Sequence, residues 1–376
     1  MQFVLTGEQV LIQETARGFF AAHATSAAVR TAMQSDAGYD ARLWAAVMAE
    51  MGFGGIAVPA RHGGAGLGHV ELAMLMMEMG RTLHPSPYLS SVCMAATAVL
   101  NAGSEAQQAQ FLPGMVSGET IAALAYMSAA GQPQPDATLS ASGNDFRLSG
   151  SAGFVPYGHA ADLFIVAARA ADGGVSLLAL PAHTRGLVVE RHVTFDLTRP
   201  LSTLHFADVA VGAEQLLGPA GQAAGVLDHT LDLARIALAA EQTGGAEAVL
   251  DMTVAYTKER VQFGRPIGSF QALKHRMADM MVEVETARTA VYYAACIADE
   301  GSDELGEAAA IAKAYCSDAF SSCAGHAIQL HGGIGFTWEH DAHLYFKRAR
   351  SSAVLLGDAA SQRERVAQMI GLGKVA

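Results

Sequence analysis

The stretch Ala239–Met281, AAEQTGGAEAVLDMTVAYTKERVQFGRPIGSFQALKHRMADMM, decides the fold of the chain around it. Apolar residues recur at three- and four-residue spacing up to Arg260, which is typical of an amphipathic helix. Pro266 and Gly268 then interrupt the pattern, because proline lacks a backbone N–H and glycine weakens a helix. The helical pattern resumes at Ser269, a residue type suited to an N-cap. The stretch therefore predicts two long helices joined by a tight loop.

The joint between these two helices is rich in cations. Lys258, Arg260 and Arg265 lie close together there. Cations beside exposed backbone N–H groups suit an anion with several oxygens, such as a pyrophosphate. The spacing alone favours the simpler interpretation, which is that these are solvated charges at a helical corner.

Two sequence blocks favour the ligand-binding interpretation over solvated charges. Residues 260–271, RVQFGRPIGSFQ, closely resemble the Arg-x-x-Phe-Gly-[Arg/Lys]-Pro-Ile…Phe-Gln signature of the acyl-CoA dehydrogenase family. Residues 329–336, QLHGGIGF, resemble the Gln-x-x-Gly-Gly-x-Gly-Phe segment of the same family. The blocks are spaced as the family has them, and the resemblance extends over essentially the whole chain.

Composition excludes several classes of function. At 376 residues the chain is long enough for two or three structural units. The formal net charge of −12 and the lack of a basic stripe argue against nucleic acid as a partner, whereas local clusters still suit an anionic CoA ester. The four cysteines lack metal-ligand spacing, which predicts reduced thiols, no metal site and a cytoplasmic location. The N-terminus lacks a signal-peptide pattern and no apolar run has membrane-spanning length, so we expect a soluble protein.

The hydrophobic period changes twice along the chain. Residues 1–118 show helical patterns, and residues 119–224 contain short apolar or alternating runs separated by Gly, Pro and Asp, which predict a small β-domain. Residues 225–376 are helical again, with long segments at 226–262, 269–300, 304–330 and 340–370 that predict a four-helix bundle. The predicted fold class is α+β: an N-terminal helical domain, a middle β-domain and a C-terminal four-helix bundle. This arrangement resembles the acyl-CoA dehydrogenase architecture.

The resemblance implies FAD as the cofactor, held in that family between the β-domain and the bundle. It also implies that the adenosine end of FAD is bound by a neighbouring subunit. By this resemblance Arg260, Phe263 and Gln271 contact the FAD pyrophosphate and adenosine region. Gln329 and Gly333 add contacts from the second block, where glycine lets the backbone approach the ligand closely.

The β-domain departs from the family pattern. Of the flavin-facing segment, Tyr126 and Ser128 are retained, and Ala129 replaces a threonine. Phe154 stands at the position of a tryptophan that covers the flavin, and a simple β-core role is the alternative. Pro156 replaces a threonine that bonds the flavin edge, and proline has no N–H to donate.

The family's chemistry, removal of an α-proton by a carboxylate and of the β-hydrogen as hydride, requires a base. Leu356 occupies the usual position of that carboxylate, and Ala234 occupies the position used by a subset of the family. Arg235 matches the family's arginine beside the base. Glu241, seven residues after Ala234 on the same helix face, is the predicted substitute, since its apolar surroundings could raise its pKa.

Other interpretations of these carboxylates stay open. Glu241 could instead be a helix-face residue paired with a cation. Asp358, two residues past the usual base position, is a second candidate, and a chain with no base of its own is the third.

Three functional hypotheses follow from the resemblance. The first is FAD-dependent α,β-dehydrogenation of an acyl-CoA to the 2-enoyl-CoA, as a subunit of a tetramer. The second is a non-catalytic partner subunit that completes the FAD site of a heteromeric acyl-CoA dehydrogenase, and the third is a relative that uses flavin for another reaction. The implied partners are an acyl-CoA substrate, electron-transfer flavoprotein as electron acceptor, and a homotetramer or a heterotetramer with a second related chain.

Overall fold

The structure is a computed structural model that describes residues 4–143 and 145–372. Helices occupy both ends of the chain. The α-helices are Gly7–His23 (α1), Ser26–Gln34 (α2), Ala41–Ala45 (α3), His69–Arg81 (α4), Thr97–Ala102 (α5), Glu105–Ser117 (α6), Ala224–Glu259 (α7), Gln271–Glu300 (α8), Leu305–His331 (α9), Ala342–Val354 (α10) and Ala359–Met369 (α11). Two π-helical segments, Ala46–Glu50 and Leu89–Ala96, continue α3 and precede α5.

The strands lie in the middle of the chain. They are Ala122–Ala125 (β1), Thr138–Ser142 (β2), Asp145–Pro156 (β3), Leu163–Ala170 (β4), Val175–Pro181 (β5), Leu187–Arg191 (β6), Leu201–Val211 (β7), Leu216–Leu217 (β8), Val261–Gln262 (β9) and Arg265–Pro266 (β10). The first eight form one sheet in the order β6-β7-β3-β2-β4-β5-β8, with β1 paired parallel to β4. The last two form a small antiparallel hairpin at the joint between α7 and α8.

The chain folds into two compact units. The bundle unit takes in the described residues of Met1–Thr31, His69–His84 and Arg235–Ala376. The sheet unit takes in Ala32–Gly68 and Pro85–Ala234. The domain boundaries predicted at residues 118 and 224 stay predictions.

Glycines allow close helix packing in the bundle unit. A Cβ built on Gly80 of α4 would lie 2.0 Å from the carbonyl oxygen of Glu241 in α7. A Cβ on Gly244 of α7 would lie 1.8 Å from the carbonyl oxygen of Met77. Both helices therefore meet backbone to backbone, which larger residues would prevent. An apolar core cluster extends below this crossing through Val249, Leu250, Met280, Val284, Phe320, Cys323, Ala324 and Ala327.

The sheet unit contains a long, irregular strand pair. β3 and β7 run antiparallel, and their register shifts between Leu148 and Gly150 and again between Ala152 and Val155. Such bulges re-aim side chains, and Phe154 lies within the second one with a left-handed φ of 53°. The predicted strands at residues 146–149, 163–167, 175–180, 187–191 and 204–211 all lie within observed strands.

Three details of the sequence-based prediction are wrong. The helical segment predicted at 340–370 is two helices, since Leu356 (φ 62°) and Gly357 (φ 95°) turn the backbone left-handed between α10 and α11. Ser269 is not an N-cap, because its hydroxyl donates to the carbonyl oxygen of Pro266 and Phe270 precedes α8 instead. The Ala-rich strand β1 was not anticipated, because alanine carries little strand propensity.

The α-helices are too short or too polar for a lipid bilayer. Within residues 4–143 and 145–372, none combines the length and the apolar character needed to cross a membrane.

Candidate active site

The joint between α7 and α8 presents its predicted binding residues to the outside. Arg260 directly follows α7 and Gln271 is the first residue of α8, and both are exposed. Phe263 is 91% exposed, with a left-handed φ of 54°. Its ring lies edge-on to Phe270, 6.0 Å between centroids, and the Arg265 guanidinium lies 4.0 Å from the centroid of the same Phe270 ring. The joint thus offers an arginine and an aromatic face to a ligand or partner.

The second motif block lies at the same end of the bundle unit. The Tyr256 hydroxyl donates to the carbonyl oxygen of His331 at 3.3 Å, and their rings stack at 4.4 Å. This contact connects the last turns of α7 with the end of α9, where Gln329 is exposed. A Cβ on Gly333 would meet nothing within 4 Å, so its backbone faces open space, and Phe336 beyond it is also exposed. We call residues 256–271 and 329–336 together the outer end.

In the sheet unit the predicted flavin-facing residues also lie together. The backbone N–H of Gly153 donates to the carbonyl oxygen of Met127, so the Tyr126–Ser128 segment runs beside the bulge that carries Phe154. The Phe154 ring is 3.3 Å from a Cβ built on Gly131 and is 41% exposed, which does not match a core residue. Tyr126 and Ser128 are buried.

The Ser128 hydroxyl already has a local partner. Its oxygen accepts a hydrogen bond from the backbone N–H of Gln132 at 2.9 Å. The hydroxyl can still donate one bond to a ligand. Because Pro156 supplies no N–H, this half of the predicted site offers few hydrogen-bond donors.

Glu241, the predicted base, is in a buried ion pair. It lies in α7 and is 6% exposed, and Nη1 of Arg348 in α10 donates to its Oε1 at 2.6 Å. Charge-assisted bonds of this kind favour the ionised carboxylate. The geometry matches the alternative that Glu241 is a helix-face residue paired with a cation.

Asp358 is a helix cap. Its carboxylate accepts from the backbone N–H of Ser361 at 2.8 Å, at the N-terminus of α11. This hydrogen bond, followed by the contribution of the Ser361 side chain, lowers the pKa of Asp358. An exposed carboxylate with a lowered pKa is a poor proton acceptor.

The two family positions for a base carry apolar, buried side chains. Ala234 is fully buried in α7, and Leu356 is buried in the turn between α10 and α11. Nε of Arg235 donates to the Leu356 carbonyl oxygen at 3.1 Å, so the predicted arginine does contact the turn where the base would stand. Nε2 of Gln362 donates to the same oxygen at 3.1 Å. The turn is held firmly and carries no carboxylate at its centre.

Two residues that decide the chemistry of this region could not be named from the sequence. Arg348 lies 107 residues from Glu241, so no local pattern joins them. Lys313 reaches the same turn from α9, and its only sequence signal is one cation within the Ala-rich run Glu307–Ser317.

Comparisons with known proteins identify the class. The family model of the acyl-CoA dehydrogenase N-terminal domain matches residues 6–119, and that of the C-terminal domain matches residues 221–371. Acyl-CoA dehydrogenase IpdE2 of Mycolicibacterium smegmatis is 37% identical over 363 residues, covering 96% of this chain and 98% of that protein. The chain therefore belongs to the acyl-CoA dehydrogenase family, a family of FAD-dependent oxidoreductases.

Two solved structures agree with this assignment. A chain of a variant of the Tcur3481-Tcur3483 steroid ACAD is 34% identical, covers 98% of this chain and 99% of its own length, and superposes with a TM-score of 0.88. A chain of the ChsE4-ChsE5 complex from Mycobacterium tuberculosis is 29% identical, covers 98% and 99%, and superposes with a TM-score of 0.91. The predicted α+β fold, family and FAD cofactor are confirmed.

The residues of the outer end fit FAD better than those of the sheet unit. At the outer end an exposed arginine, an exposed aromatic ring and an open glycine backbone suit a pyrophosphate and an adenine. In the sheet unit Phe154 offers a ring, but hydrogen-bond donors are few. No group of three or more His, Cys, Asp or Glu residues in the part of the chain that the structure describes could hold a metal ion.

Proposed function

We propose that this chain is one of two unlike subunits of a tetrameric acyl-CoA dehydrogenase that converts an acyl-CoA thioester to its 2-enoyl-CoA. The observation that carries the proposal is the turn at Leu356, which is firmly held but lacks a carboxylate, while Glu241 and Asp358 are engaged elsewhere. A second, related chain then supplies the base. This is the partner-subunit hypothesis, and it differs from a self-sufficient enzyme in which Glu241 is the base.

FAD supplies the hydride acceptor when bound. In the proposal Arg260 and Gln271 bind its pyrophosphate and adenosine region, with Phe263 beside the adenine. Gln329 and Gly333 add contacts from the second block. Because all five lie at the exposed outer end, they are suited to a flavin held largely by another subunit.

In the sheet unit Tyr126, Ser128 and Phe154 are the proposed contacts to the isoalloxazine. Phe154 covers one face of the ring system, and the Ser128 hydroxyl donates the bond that Pro156 cannot. Fewer contacts there predict weaker flavin binding by this chain than by its partner.

Arg235 is proposed to position the turn rather than to react. Its hydrogen bond to the Leu356 carbonyl oxygen puts a cation beside the turn, and in the proposal this turn borders the acyl group. The proposed substrate is a bulky acyl-CoA, and the steroid ACAD among the similar structures makes a steroid-derived acyl group the first to test. Electron-transfer flavoprotein is the proposed electron acceptor, and the cytoplasm is the proposed location.

The first experiment measures flavin content and flavin reduction. The chain is purified alone and after co-expression with candidate partner chains of the same family, and each preparation is titrated with a panel of acyl-CoAs that includes steroid-derived ones. We expect little flavin in the chain alone, and about one FAD per pair of chains, bleached by substrate, in the joint preparation. One FAD per chain that bleaches without a partner would overturn the partner-subunit proposal.

One variant then tests Glu241 as the base. Glu241→Gln keeps the shape of the side chain and one oxygen that can accept from Arg348, and in the proposal it leaves the rate of flavin reduction per bound flavin within about threefold. A fall of a hundredfold or more with flavin retained, typical of a lost general base, would assign the base to Glu241.

A gain-of-function variant tests the turn itself. Leu356→Glu places a carboxylate in the turn, and Leu356→Gln is the control of equal size without charge. Because the partner chain supplies the base in the proposal, we expect equal rates of flavin reduction by acyl-CoA in assemblies carrying either variant. Faster reduction with Leu356→Glu than with Leu356→Gln would contradict the proposal, since it would mean that this chain's own turn faces a flavin-loaded substrate site.

A further inference from the structure

The bundle unit contains a lysine with no solvent exposure. Lys313 of α9 is 0% exposed, and burial lowers its pKa to about 7. Among the titratable groups around it, Arg235 of α7 also lowers the pKa, while Asp358 at the start of α11 and Cys316 and Asp318 of α9 oppose the shift. A buried cation is costly, so an ordinary packing role does not explain a lysine at this position.

The amine of Lys313 has three partners. Nζ is 2.8 Å from the Ser317 hydroxyl, 3.1 Å from the carbonyl oxygen of Ala353 and 3.1 Å from the carbonyl oxygen of Gly357. The Ala353 carbonyl belongs to the last turn of α10, where carbonyls lack partners within the helix. The Gly357 carbonyl belongs to the turn around Leu356.

This set of partners accommodates the amine in both protonation states. An ammonium donates three hydrogen bonds, one to each oxygen. A neutral amine has two N–H groups and can donate to the two carbonyls, while the Ser317 hydroxyl donates its own hydrogen to the carbonyl oxygen of Lys313 at 2.7 Å. The two bonds to the backbone of residues 353–357 are therefore kept when the proton leaves.

The turn needs such support because its backbone is left-handed at two successive residues. Leu356 has φ 62° and Gly357 has φ 95°, and a non-glycine residue in this region is strained. A Cβ on Gly357 would lie 2.3 Å from Nε2 of Gln362, so the turn is also closely packed. Arg235 and Gln362 hold the Leu356 carbonyl, and Lys313 holds the carbonyls on either side of it.

We propose that Lys313 is a positioning residue whose amine ties the end of α10 to the following turn and so sets the backbone of residues 355–358. The importance of that turn for the acyl-CoA site rests on the proposed function, whereas the tether itself does not. Lys313 is not proposed to touch substrate or flavin.

Amide hydrogen exchange tests the tether. At pH 8 we expect Lys313→Met to accelerate exchange of the protected amides in residues 357–362 by about tenfold or more, because two backbone carbonyls lose their donor. Lys274→Met, at an exposed lysine of α8, is the matched control and should leave these amides unchanged. Unchanged protection of the turn in Lys313→Met, or loosening spread evenly over the bundle unit, would overturn the proposal.

The pH profile separates this role from simple packing. Opening the turn exposes the amine, which then takes up a proton. Because proton uptake becomes less favourable as pH rises, the turn should open less often at pH 8 than at pH 6. The protection of its amides in the wild type, corrected for intrinsic exchange, should therefore rise from pH 6 to pH 8. In Lys313→Met the corrected protection should not depend on pH. A flat wild-type profile would contradict the tether.

Lysine-selective NMR gives a second measurement that does not depend on a variant folding. The chain has five lysines, Lys258, Lys274, Lys313, Lys347 and Lys374, so few signals need assignment. We expect one signal to titrate near neutral pH and to be absent in Lys313→Met. Titration of all five signals near their ordinary value would overturn the proposal, and flavin reduction plays no part in either readout.

Discussion

The outer end of the bundle unit and its interior use the same residue types for opposite purposes. At the outer end, Arg260, Gln271 and Gln329 are exposed. In the interior, polar side chains satisfy one another: Gln242 of α7 bonds the hydroxyls of Ser317 and Ser352, Ser317 bonds Lys313, and Arg348 pairs with Glu241. We call this second set the buried polar cluster. In this unit the polar side chains of the outer end are free to bind a ligand, whereas those of the interior bond one another.

The largest loss of stability is expected when one partner of the buried ion pair is removed. Arg348→Met should lower the free energy of unfolding by about 3–5 kcal/mol, because the Glu241 carboxylate loses its cation without gaining water. Urea unfolding followed by circular dichroism measures the loss.

The double variant Glu241→Leu/Arg348→Met is the control for this prediction. It removes both charges and should recover most of the stability. A loss below about 1 kcal/mol in the single variant would show that the pair is not desolvated.

A pair of glycine variants compares the two regions directly. Gly244→Ala should cost about 3 kcal/mol, since the new methyl group overlaps the carbonyl oxygen of Met77 at the crossing of α4 and α7. Gly333→Ala at the outer end meets nothing and should leave the melting temperature unchanged while weakening flavin retention. If Gly244→Ala and Gly333→Ala lowered stability to a similar extent, the two glycines would be equally closely packed, which would contradict the difference between the two regions.

The contribution of the buried polar cluster to stability should also depend on pH. The folded-state pKa of Lys313 lies near 7, below its ordinary 10.5, so the folded chain binds fewer protons than the unfolded chain between these values. The free energy of unfolding should therefore rise from pH 7 to pH 9, by roughly 2 kcal/mol for this residue. Denaturation of wild type and Lys313→Met at both pH values measures the difference, which should vanish in the variant.

The smallest effect on stability is expected at the outer end. Arg260→Ala and Phe263→Ala remove exposed side chains and should change the free energy of unfolding by less than about 0.5 kcal/mol. Both should nevertheless reduce flavin content or assembly with the partner chain severalfold. A large loss of stability with flavin binding retained would reverse the roles assigned to the two regions.

Much of the fold was predictable from the chain because it depends on local pattern. Helical periodicity and the break at Pro266 give α7 and α8 within a few residues, and alternating runs give β4 to β7. The break between α10 and α11 was missed, since a left-handed leucine at 356 has no composition signal. Burial and three tethering side chains hold it there.

The candidate site was predictable only in part. Motif blocks 260–271 and 329–336 are contiguous in sequence, so their residues could be named, and the contact between Tyr256 and His331 brings the two blocks together. The state of Glu241 could not be predicted, because its partner lies on another helix.

The sequence by itself determined the family, the succession of a helical, a β and a second helical region, and the absence of a carboxylate at positions 234 and 356. These follow from residue identity and short-range spacing. Only the tertiary structure decided which charges are available for ligands. Pairing and burial join residues far apart in the chain, such as Glu241 with Arg348 and Lys313 with Gly357. The sequence shows that a residue carries a carboxylate or an amine, but it does not show whether that group is solvated or buried. The fold decides this, and the chemistry of the group depends on it.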